Sequence, residues 1–225
     1  LDVVVLVFER DVVEMGGFYL DIIKDRIYTC KVDSVARRSA QSAIYQIAHA
    51  FVRWIVPILS FTADEAWEHL PGAEGSIFTR EWLTGIPRLD ASSSLSANDW
   101  DAIISARDAV NGVLEECRRE GAIRSSLEAE LQISAPEELR QLFGQLGDEL
   151  RFVLMVSRAE LVEKTDQSRE TEISGLSVAI KKSGAGKCVR CWHFREDVGS
   201  HAEHPELCGR CIENIDGDGE VRHFA

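Results

Sequence analysis

No stretch of apolar residues in this 225-residue sequence approaches the roughly 18 that a membrane-crossing helix needs, so a helical span is excluded and a water-soluble chain is expected. An excess of basic charge is also missing. The 25 Lys and Arg residues face 38 Asp and Glu, and the formal net charge of −13 argues against a generic polyanion binder. The composition of a disordered chain is absent too, because 45% of the residues are hydrophobic and 8% aromatic, ample for a core. Leu1 to Phe8 is apolar but lacks a basic leader and runs into Glu9-Arg10-Asp11, so it is no secretory signal. The sequence shows no initiating Met and no internal repeat, and the expectation is a segment of a longer protein.

The first half reads as helical. Phe18, Ile22, Ile23 and Ile27 make one apolar stripe, with Lys24-Asp25-Arg26 between them. Ala36, Ala40, Ile44, Ile47, Phe51 and Ile55 recur at three- and four-residue steps, and Pro57 ends that helix. Thr62-Ala-Asp-Glu65 reads as a capping box for a short helix carrying Trp67 and stopped by Pro71-Gly72. A Ser-rich loop runs to Ser96, and Trp100 to Cys117 forms a further helix ended by Gly121.

The pattern then changes. Ala129, Leu131 and Ile133 alternate with polar residues, as in a half-buried strand. Pro136 opens a helix with Leu139, Leu142, Phe143 and Leu146 on one face. Phe152 to Val156 suits a buried strand, and Leu161-Val162 and Leu176 to Ile180 suggest two more. The fold class expected is therefore multidomain, with a helical bundle over 1–125, a small α/β unit over 126–182 and a cysteine module over 183–225. Ser183-Gly-Ala-Gly186 reads as a flexible hinge into that module.

Six cysteines are present. Cys30 and Cys117 sit in apolar helical patterns and read as small core residues of a reducing compartment. Cys188-Val-Arg-Cys191 and Cys208-Gly-Arg-Cys211, with 16 residues between the pairs, supply four soft donors from two tight turns, the donor set of tetrahedral zinc. About 40 residues cannot build a sufficient core, so the metal would supply folding energy. His193, His201 and His204 lie between the pairs as substitute ligands, and reversible dithiol chemistry is the competing reading of the cysteines. Arg190 and Arg210 precede the second cysteine of each pair, with Lys187 and Arg195 nearby. They either offset thiolate charge or contact phosphate. Trp192 is either core filler or a platform for a base.

Several stretches together resemble the C-terminal part of bacterial isoleucyl-tRNA synthetases, a family of class I aminoacyl-tRNA synthetases. They are Phe18 to Thr29, Val52-Arg-Trp-Ile-Val-Pro-Ile-Leu-Ser-Phe-Thr-Ala-Asp-Glu65, Gly147 to Val153, Lys187 to His193 and Cys208 to Cys211. The resemblance implies an anticodon-stem-binding bundle, a junction α/β unit and a zinc-ribbon-like four-cysteine module holding one zinc ion. It implies tRNA(Ile) and the other domains of the same polypeptide as partners, a monomeric cytoplasmic parent and no membrane. Neither the His-Ile-Gly-His-type nor the Lys-Met-Ser-Lys-Ser-type signature of the catalytic domain is present, so ATP and Mg belong to an absent domain and this chain should not catalyse aminoacylation alone. The candidate RNA contacts are Arg37, Arg38, Arg53, Arg190, Trp192, Arg195 and Arg210; for those on helices the alternative is a solvated face. A freestanding zinc-dependent adaptor for a protein partner is the alternative to the whole reading.

Overall fold

A computed structural model describes residues 15–84 and 93–225; the apolar run Leu1 to Phe8 and the part of the Ser-rich loop within 85–92 lie outside them. After a π-helical turn over Met15–Tyr19, α1 spans Leu20–Thr29 and buries Ile22 and Ile23. The long helix α2, Val35–Ile55, starts where the Ser34 side chain accepts from the backbone N–H of Arg37 at 3.2 Å. α3 covers Ser60–Glu68. It begins two residues ahead of the expected cap at Thr62, because the chain is already turning at Ile55, whose carbonyl accepts from Leu59 N, and Ser60 bonds back to Val56 O. α4, Ala97–Arg119, opens on a capping box in which Ser96 and Asp99 satisfy each other's backbone N–H groups.

The α/β unit follows. Strands β1 (Ala129–Ser134), β2 (Arg158–Leu161), β3 (Arg169–Glu170) and β4 (Ser177–Lys182) form one sheet in the order β2-β1-β4-β3. β1 and β2 run parallel, joined by α5 (Glu137–Leu146), while β4 pairs antiparallel to β1 with Ile133 opposite Val178. The expected strand at Phe152 to Val156 is instead a helical turn, α6 (Leu150–Val153), and a reversal at Met155, whose φ is 51°. An all-apolar run carries no period to tell the two apart. Here a turn satisfies the backbone locally in the interior, through Leu154 N to Leu150 O and Val156 N to Arg151 O.

One apolar core runs without a break from Ile22 and Ile23 through Ile103, Val110 and Leu114 of α4 to Leu131, Ile133, Phe143 and Val178. α4 is thus a wall shared by the helical part and the sheet. A smaller core joins Val52, Ile55, Ala63, Trp67 and Ile77. Cys30 and Cys117 are buried, as their patterns indicated.

The C-terminal module holds β5 (Gly186–Lys187), β6 (Phe194–Arg195) and α7 (Gly209–Ile215). The glycine of the expected hinge has a packing reason as well, since a Cβ on Gly186 would lie 3.1 Å from Val198 Cβ. The module is not loose on the rest. Asp25 of α1 accepts from Arg210 of α7 at 2.6 and 2.9 Å and from Arg222 at 2.8 Å. Glu149 accepts from the backbone N–H groups of His223, Phe224 and Ala225 at 2.7, 2.8 and 2.8 Å.

Burial pushes the Asp25 carboxyl up, but the Arg210 hydrogen bonds and the charges of Arg210 and Arg222 outweigh it and hold the group well below the carboxylate range. A carboxyl depressed on folding contributes stability that is complete above its unfolded value, about 3.9, and is lost as pH falls below it. Denaturant midpoints followed from pH 7 to pH 3 should therefore drop more steeply below about pH 4 in the parent sequence than in Asp25→Asn. Leu131→Ala, emptying a fully buried site, should cost about 2–5 kcal/mol, whereas Val35→Ala, at an exposed one, should stay within about 0.5 kcal/mol by the same denaturation assay.

Candidate metal centre and the face beside it

The two Cys-x-x-Cys segments come from different local structures. Cys188 and Cys191 lie in the turn of the β5–β6 hairpin, where Cys188 N donates to His193 O and Trp192 N donates to Cys188 O, both at 2.9 Å. Cys208 caps α7 and Cys211 lies in its first turn. A backbone N–H, that of Cys208, donates to Cys188 Sγ at 3.4 Å and ties the two segments together. Gly209 follows for a steric reason, because a Cβ there would come within 2.9 Å of Asp197 Oδ2, which accepts from Gly209 N.

All four sulfurs lie within 4.8 Å of one another and are buried, and none is in a disulfide. The Cys188–Cys211 and Cys191–Cys208 Sγ separations are both 3.7 Å. A tetrahedron of thiolates about 2.3 Å from a central zinc has edges of about 3.8 Å, so the donor set and its spacing fit the ion. Hydrogen bonds from Cys208 and Cys211 lower the Cys191 thiol pKa, which favours a thiolate donor there. His193 points elsewhere: its Nδ1 lies 3.2 Å from Cys191 O and its ring packs edge-on against Phe152. His204 pairs with Asp216 at 2.9 Å, so neither of these histidines replaces a thiol.

Beside the cluster, a cavity of about 600 Å³ separates the first cysteine turn from the outer face of α1. Tyr28, Lys24, Arg190 and Trp192 line it, together with Ser125 to Leu127. Trp192 is 61% exposed and its φ is 67°, so the left-handed residue that closes the turn presents its indole to solvent. Core filler is therefore excluded as its role. Lys187 Nζ sits 5.6 Å from the Trp192 ring centroid. Arg190 donates to Thr29 O at 2.5 Å across the gap and lines the cavity.

The remaining basic candidates divide. Arg38 is exposed with no side-chain partner among the described residues. Arg195 is half-buried, 3.9 Å from Asp197. Arg37 turns back to donate to Cys30 O. Arg53 lies over Trp67, 4.6 Å from its ring, and donates to His49 O and Glu81 O, so it holds α2 to the loop after α3. Arg210 is buried against Asp25 and Glu220, and these ties leave it no phosphate to meet. The pattern of the sequence missed Tyr28, although it stands off the Phe18–Ile27 stripe and is 72% exposed.

Residues 2–133 match the anticodon-binding domain of tRNA ligase. The chain belongs to that family. Residues 186–214 also match the zinc finger found in FPG and IleRS, and they include all four clustered cysteines. The chain is 54% identical over 219 residues to the isoleucine--tRNA ligase of Teredinibacter turnerae, 54% over 217 residues to that of Shewanella pealeana and 51% over 216 residues to that of Pseudomonas entomophila. These matches cover 94–95% of the chain and 23% of each relative, in the C-terminal region. Among the described residues no helix is long and apolar enough to cross a membrane.

If the four cysteines hold a metal and the other two fill the core, chelation should expose four fast-reacting thiols and leave two slow. Burial and the neighbouring Glu220 push the Cys30 thiol up to about 12, which protects it further. Counting thiols with a chromogenic disulfide before and after chelator checks this; six fast thiols would show that the core opens with the module.

Proposed function

We propose that this chain is the tRNA-binding C-terminal part of an isoleucine--tRNA ligase, and that Cys188, Cys191, Cys208 and Cys211 hold one structural zinc ion. The parent would join isoleucine to tRNA(Ile) through an ATP-derived adenylate in the cytoplasm, with ATP and Mg bound in its other domains. This part contributes position: gripping the anticodon region far from the acceptor end converts delivery of that end into an intramolecular problem. The partition into a bundle over 1–125, an α/β unit over 126–182 and a zinc module over 183–225 belongs to this reading.

The observation that carries it is the cavity wall between α1 and the first cysteine turn, where two exposed aromatics, Tyr28 and Trp192, stand with Arg190 and with Lys24, which is paired to Asp21. Asp25 at the same wall is occupied by Arg210 and Arg222. Exposed rings among cations are what an unstacked RNA strand requires, with bases on ring faces and phosphates on the charges. Trp192, Arg190, Arg195 and Arg38 are the contacts proposed from the original set; Tyr28 and Lys24 join them. The net charge of −13 is no obstacle, because the 45 residues from Lys181 onward are close to neutral, 7 basic against 8 acidic. Zinc supplies the module with folding energy, and its ligands do no chemistry on the RNA.

A titration of the zinc-loaded chain against tRNA(Ile) and a non-cognate tRNA at two salt concentrations tests the reading. Affinity should favour tRNA(Ile) and fall with salt. Trp192→Ala should weaken binding by about 1–3 kcal/mol, and Arg190→Ala should lower the salt slope by about one. No binding to any tRNA at low salt, with a tight protein complex found instead, would establish the adaptor.

A further inference from the structure

The C-terminal module has little with which to hold its own orientation. Its apolar cluster consists of the four cysteines with Val198 and Leu207 beside them. The strands of its hairpin are two residues long, and it is joined to the sheet through residues 183–186. Hydrophobic burial on that scale does not fix the angle between two bodies. Polar ties do so instead: Phe194 N donates to Ser157 Oγ at 2.7 Å and Lys31 Nζ to Gly217 O at 2.9 Å, and a set of charged groups lies behind the cavity.

Arg222 lies at their centre, with 1% of its side chain exposed. It donates to Asp25 of α1 at 2.8 Å, stands 3.6 Å from Glu220, and its guanidinium carbon lies 3.4 Å from the centroid of Phe152 in α6. It therefore touches the bundle helix and the α/β unit at once. The following residues continue the clasp, since three successive backbone N–H groups converge on the Glu149 carboxylate. Asp25, in turn, takes Arg210 from the helix that carries Cys211. Thr29, the residue that receives Arg190 on the cavity side, is one helical turn beyond Asp25 on α1, so both ties act on the same face of that helix.

We propose that the segment Glu220 to Ala225, with Arg222 as its central residue, is a clasp that sets the position of Trp192 opposite Tyr28, and through it the fit of the RNA. The proposal rests on the tRNA-binding reading. Neither Arg222 nor Glu149 lines the cavity, so both are positioning residues. Residues 183–186 are a short connection, and in this proposal the clasp fixes the module's angle before RNA arrives. RNA binding to a loosened module must then select the aligned fraction, which lowers apparent affinity without removing any contact.

The test uses the zinc-loaded chain with Arg222→Met, which keeps a stem over Phe152, and with Glu149→Gln, which weakens the tail cradle. Three readouts are taken: zinc per chain, the rate of protease cleavage within residues 183–186, and binding of tRNA(Ile) at several salt concentrations. Both variants should keep one zinc per chain and be cut faster at the hinge. They should bind tRNA about tenfold more weakly, with an unchanged salt slope because no phosphate contact is lost. A reduced slope would make Arg222 a direct phosphate contact and overturn the proposal. So would faster hinge cleavage with unaltered affinity. If Arg222→Met loses zinc, Glu149→Gln decides by the same criteria. Failure of the parent sequence itself to bind tRNA overturns the functional reading, and is told apart because hinge cleavage still scores the clasp alone.

Discussion

A module of about 40 residues that buries little besides four cysteines must be organised by something other than apolar area. That constraint shapes the C-terminal fifth of this protein. Inside the module the four sulfurs are brought to metal-binding distance by two short turns and one N–H···S bond. Outside it, one carboxylate on α1, Asp25, receives two arginines from the module and its tail. Buried ion pairs of this kind add little net stability, because desolvation offsets much of the attraction, yet they tolerate few alternative geometries. Here they exchange stability for a defined angle.

The acidic total and the RNA reading meet in the same arrangement. Several carboxylates on the module side of the protein are occupied: Asp25 by Arg210 and Arg222, Glu149 by backbone N–H groups, Glu220 by Arg210 and Asn214. Acidic groups so engaged cancel internal cations and project less field outward. Of the cations near the cavity, Lys24 is paired with Asp21, so Lys187 and Arg190 set more of the local potential that a phosphate meets. Net charge read from composition averages these two populations and misses the difference.

Much of the architecture was legible in the residues. The stripes of α1, α2 and α4 and the alternation of β1 are simple periods. β1 buries Ala129, Leu131 and Ile133 as its period says, whereas α2 buries Ala36, Ala40 and Ile55 of its stripe, leaves Ile44, Ile47 and Phe51 half-buried and buries His49, Ala50 and Val52 instead. The metal centre was legible because two Cys-x-x-Cys segments constrain their own turns. Where the pattern fell short, the cause is physical. Leu150 to Val156 is largely apolar, so periodicity has little to report there. Arg53 and Arg210 lie on or beside recognisable motifs, but which way a guanidinium turns depends on Trp67 and Asp25, contributed by other elements. Tyr28 gained meaning only when the cysteine turn folded back over α1. The clasp could not be read at all: Asp25 and Glu149 lie in stretches that carry the family resemblance, but nothing in the sequence pairs them with each other or with Arg222, which is far away in the chain.

The left-handed backbone at Trp192 has a bearing on how its side chain can be studied. A positive φ penalises every side chain with a Cβ, most of all β-branched ones, while glycine and asparagine are at ease there. A saturation library at this position would thus rank substitutions on two superimposed scales, ring loss and backbone comfort. Valine would score worse than alanine for reasons unrelated to any ligand, and glycine could even tighten the turn while erasing the platform. Phenylalanine and tyrosine share the tryptophan's backbone demands closely enough that differences among those three isolate the aromatic face.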